Sequence, residues 1–331
     1  MSMFSRTFHA KSFTSLPTFK DILIRSPLSI SQHHFIQQQR KQIQQILIGA
    51  DPRLLVIIGP CSIHDPKSAL EYANRLAAIQ QTFIPTLKIV MRTYLEKPRT
   101  RTGWKGFVVD PDLDGQSNIT QGIKLSRELL TSILELNLPT ATEFLDPNIT
   151  PYFADLICWG AIGARTTESQ PHRQLVSGLR CPVGFKNTTD GNINIAIDAI
   201  HTARESQSFI QNGNDNENII VHSAGNQHGH LILRGGDSPN YSKFHVQTAA
   251  SVLKRDNLIA RLVVDLSHGN SQKVAQNQLQ VANNIADQIR AGDSNIAGVM
   301  CESFLRSGQQ PSDQRPLKYG QSITDECINW Q

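Results

Sequence analysis

Eight short apolar runs in this chain each end in a charged or metal-binding side chain. They are LLVIIGPC at Cys61, LKIVMR at Arg92, PTATE at Glu143, GAIGAR at Arg165, PVGFK at Lys186, HLILR at Arg234, LVVDLSH at His268 and IAGVMCE at Glu302. Helical stretches separate them, and such alternation predicts a parallel sheet. Functional groups gathered at the carboxyl ends of successive parallel strands are the mark of a (β/α)8 TIM barrel, an α/β fold. The ends also make chemical sense together: four cations suit a doubly anionic ligand, and a thiol, an imidazole and a carboxylate suit a metal.

At 331 residues, with 39% hydrophobic side chains, the chain is long enough for one barrel with a large core. Its formal charge of +4 is modest. The strand-end Arg and Lys lie far apart in sequence and converge only on folding, which favours small anions over nucleic acid. Five cysteines, Cys61, Cys158, Cys181, Cys301 and Cys327, form no CxxC pair. A disulfide framework is not expected, and a reducing cytoplasm is. No apolar run approaches the ~18 residues of a membrane span. Residues 1–20 hold Arg6, Lys11 and Lys20 and no acid, as a transit peptide would. The favoured reading is an arm that leads to the first helix.

Residues 1–50 form an N-terminal arm and helix in this reading, and 51–331 the catalytic barrel. Helices are expected over Ile30–Ile48, Ser68–Gln81 (starting near Asp65-Pro66), Ile123–Leu136, Ile193–Ser206, Val246–Lys254 and Val274–Ile289. The polar stretch 205–218 reads as a loop or short hairpin.

Cys61, His268 and Glu302 at strand ends, with Asp325 in YGQSITD, suit a borderline divalent ion such as Mn²⁺, Fe²⁺ or Zn²⁺. Arg92, Arg165, Lys186 and Arg234 would repel one another in a shared cavity unless an anion joined them. The plain alternative pairs each with an acid such as Glu143 or Glu168. The loop EKPRTRTGWKG carries Lys97, Arg99, Arg101 and Lys105; over a barrel mouth it could hold a second phosphate, with Lys97 as proton donor. His222, His228 and His230 look like a metal cluster, but loop and strand separate them, and no metal is expected there.

At these residues the chain resembles the type I 3-deoxy-D-arabino-heptulosonate-7-phosphate (DAHP) synthases, the first enzymes of the shikimate pathway. The resemblance runs from about residue 50 to 330 through GPCSIHD (59–65), EKPRT (96–100), GWKG (103–106), GAIGARTTESQ (160–170), PVGFKN (182–187), LRGGDSPNY (233–241), DLSHGNS (265–271) and YGQSITD (319–325). MRTYLEKPRT and CESFLRSG look most like the bacterial tryptophan-sensitive form. The resemblance implies condensation of phosphoenolpyruvate with erythrose 4-phosphate, a divalent metal (Mn, Fe, Zn or Co), a homo-oligomer (dimer or tetramer) and an aromatic amino acid as feedback inhibitor. It implies Cys61, His268, Glu302 and Asp325 as metal ligands, with Cys61, His268 and Lys97 counted as catalytic. Arg92, Arg165, Lys186 and Arg234 would hold phosphoenolpyruvate, with Glu143 in the substrate site and Lys97 at the reacting end. Arg99 and Thr100 would hold the aldose phosphate.

Several positions depart from the family. Its last helix would be truncated about two turns in, at Gln331, loosening Asp325. Thr188 stands for the usual Gly of GFKNGTDG, and is strained if that Gly is left-handed. Arg101 replaces a smaller neutral residue. Arg180 replaces Ser, in the region where relatives bind the inhibitor. The runner-up reading is therefore an impaired barrel that acts as a regulatory subunit or amino acid sensor.

Overall fold

The computed structural model describes residues 9–10 and 12–331, so Arg6 and Lys11 of the transit-like stretch lie outside the described residues. Eight parallel strands close into a barrel: β1 (Leu54–Gly59), β2 (Leu87–Arg92), β3 (Thr140–Glu143), β4 (Trp159–Ile162), β5 (Val183–Lys186), β8 (Gly229–Leu233), β9 (Leu262–Asp265) and β10 (Ile296–Glu302). Their order around the barrel is β1-β10-β9-β8-β5-β4-β3-β2. The remaining strands, β6 (Ser208–Asn212) and β7 (Asn218–His222), form an antiparallel hairpin inserted before β8, as the polar stretch 205–218 suggests.

The helices α2 (Ile30–Ile48), α3 (Pro66–Phe83), α4 (Ile119–Glu135), α6 (Asn194–Arg204), α7 (Lys243–Arg255) and α8 (Asn277–Arg290) match the expected stretches to within a turn. Asp65 caps α3, accepting from the backbone N–H groups of Lys67 and Ser68 at 3.1 Å each, with Pro66 in the first helical position. Two short helices give no periodic signal in the sequence, α1 (Phe19–Arg25) and α5 (Gln170–Gly178). Each is about two turns long, too short to establish a 3.6-residue apolar repeat.

Tertiary contacts hold the arm. Tyr152 donates its hydroxyl to Pro17 O at 2.8 Å, the Phe19 and Tyr152 rings meet edge-on at 6.2 Å, and Lys20 N–H donates to Asn214 O at 3.0 Å in the hairpin turn. Arg40 of α2 donates to Ala154 O at 2.8 Å and Ile157 O at 2.7 Å.

No α-helix follows β10, so the expected two turns of a last helix are not formed. The backbone N–H groups of Cys327 and Ile328 go instead to Gly308 O (3.2 Å) and Glu302 O (3.0 Å), which removes them from an i to i−4 ladder. Trp330 then packs edge-on against Tyr72 of α3 at 5.2 Å. Asp325 is anchored rather than loosened, because its N–H points to Cys61 Sγ at 3.3 Å and the adjacent Thr324 hydroxyl bonds that of Ser62 at 2.7 Å.

Candidate active site

A cavity of about 340 Å³ opens at the carboxyl ends of the strands. Arg92, Lys97, Arg99, Glu143, Arg165, Lys186, Arg234, His268 and Asp325 line it. Cys61 and Glu302 are buried next to these residues, and Thr100 is exposed and outside the lining. The strand ends meet closely where this is needed. A Cβ on Gly59 would lie 2.7 Å from Arg92 O, so glycine is required for β1 to pass β2 and present Cys61 beside Arg92.

Donor atoms of Cys61, Glu302 and Asp325 lie within 4.8 Å of one another. Ligands about 2.0–2.3 Å from a shared ion stand roughly 3–4.6 Å apart, so these three fit one divalent ion with little movement. His268 Nε2 is 3.8 Å from Glu302 Oε1 but does not fall within the same 4.8 Å cluster, so it borders the three donors rather than joining them. His268 holds a left-handed φ of +55°, a strained conformation for a non-glycine residue that the surrounding contacts must offset.

The sequence reading overlooked Asp265. It is wholly buried at the end of β9, with Oδ2 2.9 Å from His268 Nδ1 and 3.1 Å from Lys186 Nζ. Its Oδ1 accepts from Ser267 N–H at 3.0 Å and from the Ser267 hydroxyl at 2.8 Å. Burial pushes the carboxyl pKa up, but the facing charges of His268 and Lys186 outweigh it and hold Asp265 well below the usual carboxylate range. His268 Nδ1 hydrogen-bonds the Ser267 hydroxyl at 2.7 Å, which itself donates to Asp265 Oδ1, so Asp265 orients the ring through Ser267 and the Nε2 lone pair is left to face Glu302. A carboxylate closing an apolar strand, as in LVVD, was the available signal, since buried acids demand partners.

The four strand-end cations do not pair with Glu143 or Glu168. Arg92 donates to Glu302 Oε1 at 2.9 Å and to Cys61 O at 3.1 Å, and lies 3.5 Å over the Tyr94 ring. Lys186 pairs with Asp265. Arg165 and Arg234 make no ion pair among the described residues, and the Arg234 guanidinium donates only to its neighbour Gly235 O at 3.3 Å. Burial lowers the Arg234 pKa, and the charge of Arg165 adds to that despite Asp265. Glu143 is buried and its Oε1 lacks a partner.

The basic loop folds back over the mouth. Lys97 N–H donates to Lys105 O at 2.9 Å, and Arg99 Nε donates to Trp104 O at 2.8 Å. Lys97 Nζ sits 3.0 Å from Cys61 Sγ. Burial opposes its charge, but Cys61, Glu302 and Asp325 together raise its pKa. Arg101 and Arg180 are both exposed, on the loop and beyond α5.

Glu96, just before Lys97, is buried, and its carboxyl is raised to about 8, by burial first and then by Asp146. An acid raised on folding stabilises the protein fully below its unfolded value and loses that contribution as pH climbs through the folded one. Stability is thus expected to fall from about pH 4.5 to about pH 8 through this group, with a slope of up to ~1.4 kcal/mol per unit. Glu96→Gln, which stays neutral, should flatten the fall. Urea melts of both proteins across that range check it, and identical slopes would count against the assignment.

Thr188 carries no left-handed strain: it is absent from the positive-φ residues, and Gly191, at +100°, makes the turn. The Thr188 hydroxyl bonds the Asp190 carboxylate, and its N–H reaches Asn192 O at 3.2 Å. Of the histidine trio, His230 uses both ring nitrogens inside the fold. It accepts from Trp159 Nε1 at 3.1 Å and donates to His228 O at 3.1 Å.

Residues 29–331 match the DAHP synthetase I family. The chain belongs to that family. It is 53% identical over 318 residues to a phospho-2-dehydro-3-deoxyheptonate aldolase, Trp-sensitive, of Enterobacter agglomerans, covering 96% of this chain and 91% of the relative. The enzyme of the same description from Escherichia coli K12 is 51% identical over the same shares. A solved phospho-2-dehydro-3-deoxyheptonate aldolase from Francisella tularensis SCHU S4 superposes with a TM-score of 0.95 at 44% identity, covering 97% of this chain and 94% of that one. The family resemblance read from the motifs is therefore confirmed over nearly the whole chain, as is the likeness to the Trp-sensitive enzymes.

Proposed function

We propose that this cavity condenses phosphoenolpyruvate with D-erythrose 4-phosphate and water, giving DAHP and phosphate, the entry step to aromatic amino acid biosynthesis. One observation carries the reading. Arg165 and Arg234 stand without counter-ions on the wall that also holds Lys186, while Cys61, Glu302 and Asp325 cluster on the other. The free guanidinium groups suit the phosphate of phosphoenolpyruvate, with Arg92 and Lys186 set to receive its carboxylate. A divalent ion held by Cys61, His268, Glu302 and Asp325 would supply Lewis-acid polarisation of the aldehyde oxygen. The thiol, imidazole and carboxylate donors suit Mn, Fe, Zn or Co.

The enol carbon C3 forms the new bond to the aldehyde carbon. Lys97, its ammonium beside Cys61, delivers a proton to the aldose oxygen as charge develops there. Water adds at C2 and the C–O bond to phosphate breaks. Glu143 Oε1, buried and unpartnered, is the acceptor for that water. Arg99 and Thr100 hold the aldose phosphate at the rim, and fixed cations offset the charge that keeps two phosphorylated substrates apart. We assign residues 1–50 to an arm and 51–331 to the barrel. Exposed Ile24, Ile210 and Ile220 on the arm and hairpin support a homo-oligomer, and five free, buried cysteines support a reducing cytoplasm. The likeness to Trp-sensitive relatives supports regulation by an aromatic amino acid. Among the described residues no helix is long and apolar enough to cross a membrane.

The experiment is a metal-reconstituted assay of the purified protein with phosphoenolpyruvate and erythrose 4-phosphate, following loss of the enol absorbance, with and without tryptophan. Turnover abolished by chelator and restored by Mn²⁺ is expected. Retained phosphoenolpyruvate binding without turnover would favour the impaired barrel, although an anchored Asp325 and an unstrained Thr188 remove both motives for it.

A further inference from the structure

The loop after β9 carries a further cation at the mouth of the cavity. Lys273 lines the same cavity as His268 and Asp325, is exposed, and makes no ion pair within 4 Å among the described residues. Its backbone is held against its own preference. Gln272 and Lys273 take left-handed φ angles of +53° and +61°, so with His268 three non-glycine residues within six positions are left-handed. Each such residue costs energy that the surroundings must offset. Here the offset is visible: Lys273 N–H donates to His268 O at 2.9 Å, Gln272 N–H to Gly269 O at 3.2 Å, and Asn277 Nδ2 to Ser271 O at 3.1 Å. A loop tied to the carbonyl of His268 moves with that imidazole, so position 273 is placed relative to the metal-binding donors.

The order of the strands gives this placement a meaning. The phosphoenolpyruvate cations come from β2, β5 and the ends of β4 and β8, while the metal donors come from β1, β9, β10 and the C-terminal segment. Lys97 and Arg99 follow β2, and Lys273 follows β9, with β1 and β10 between them. Arg99 and Lys273 thus flank the metal donors from two sides at the mouth. An aldose whose carbonyl oxygen is turned to those donors extends its far end outward between these two cations. Arg99 already spends its Nε on Trp104 O, whereas the Lys273 ammonium acts on Asp325 only across more than 4 Å and forms no ion pair with it.

We infer that Lys273 is a further substrate-binding residue that holds the phosphate of the aldose, opposite Arg99. The inference rests on the condensation proposed above and adds to it a determinant of which aldose is accepted. It also gives the strained loop a role, since the same turn that sets His268 sets a phosphate ligand at a fixed distance from it.

The test compares wild type, Lys273→Met and Lys273→Arg with Mn²⁺ bound, using erythrose 4-phosphate and then unphosphorylated D-erythrose as acceptor. For Lys273→Met, kcat/KM for erythrose 4-phosphate should fall about 10–100-fold, the size of a lost charge-assisted hydrogen bond. KM for phosphoenolpyruvate and Mn²⁺ affinity should stay within about twofold of wild type. With D-erythrose the variant and wild type should be equal, and Lys273→Arg should recover most of the loss. An equal loss on both acceptors, a shifted phosphoenolpyruvate KM, weakened Mn²⁺ binding or no loss at all would overturn the inference. Wild type in the same assay reports separately on the condensation: if it fails there, the proposed function is at fault rather than Lys273.

Discussion

Cys61→Ala is expected to lower kcat by about 10³-fold or more while leaving the fold in place, because Lewis-acid stabilisation is worth several kcal/mol and each 1.36 kcal/mol is tenfold. Cys61 lies at the meeting point of the site. Its Sγ is among the clustered donor atoms, receives Lys97 Nζ at 3.0 Å and faces the N–H of Asp325 at 3.3 Å. Burial, and then Glu302, push its thiol up to about 11, so the group is protonated at neutral pH until an ion replaces the proton. Alanine removes one donor from the set and one partner from Lys97, and it leaves only a small void. Mn²⁺ titration by calorimetry, run beside thermal melts and steady-state kinetics, separates these effects. Turnover within tenfold of wild type would sink the assignment of Cys61 as a ligand.

Asp265→Asn should damage stability and activity together. The amide keeps the shape of the side chain but leaves the Lys186 ammonium, 3% exposed, without its counter-charge. Breaking one side of a buried pair costs about 3–5 kcal/mol, which is a large share of the stability of a typical domain. The substitution also removes the charge 2.9 Å from His268 Nδ1 and one acceptor of the Ser267 hydroxyl that bonds it, and losing the group that orients a ligating imidazole typically costs 10–100-fold in metal affinity. The pH dependence has a definite sign. The Asp265 carboxyl is depressed on folding, so its contribution is complete above the unfolded value of about 3.9 and is lost as pH falls through the folded value. Wild type should therefore lose stability below about pH 4 more steeply than the Asn variant. Urea denaturation at pH 7 and through the acid range measures both effects. An unchanged midpoint at pH 7 would mean that the Lys186–Asp265 pair contributes little.

The barrel was legible because its strands are short apolar runs, each closed by a residue that an apolar interior rejects. LKIVMR, PVGFK and IAGVMCE announce both a buried strand and a group pushed out at its end, and local composition suffices for that. Helices of eleven or more residues, such as α3, α4 and α6, repeat their apolar positions often enough to be read. The nine residues of α5 do not, and neither do the seven of α1, whose place depends on Tyr152 and on the hairpin turn.

The partners of the charges were beyond any local reading. Arg92 meets Glu302 only because closure of the barrel sets β1 between β2 and β10, joining positions 210 apart in sequence. Asp265 becomes the link between His268 and Lys186 because β9 sits beside β8, near the end of β5. The course of the last residues was likewise a tertiary outcome, with Cys327 and Ile328 bonded to Gly308 and Glu302 rather than wound into a helix. Local apolar pattern and motif thus suffice for the barrel strands, the longer helices, the family and most of the side chains that face the cavity. The tertiary structure alone decided which charges neutralise each other and which, like those of Arg165, Arg234 and Lys273, remain for a ligand. Electrostatic pairing depends on distances that only the closed barrel sets.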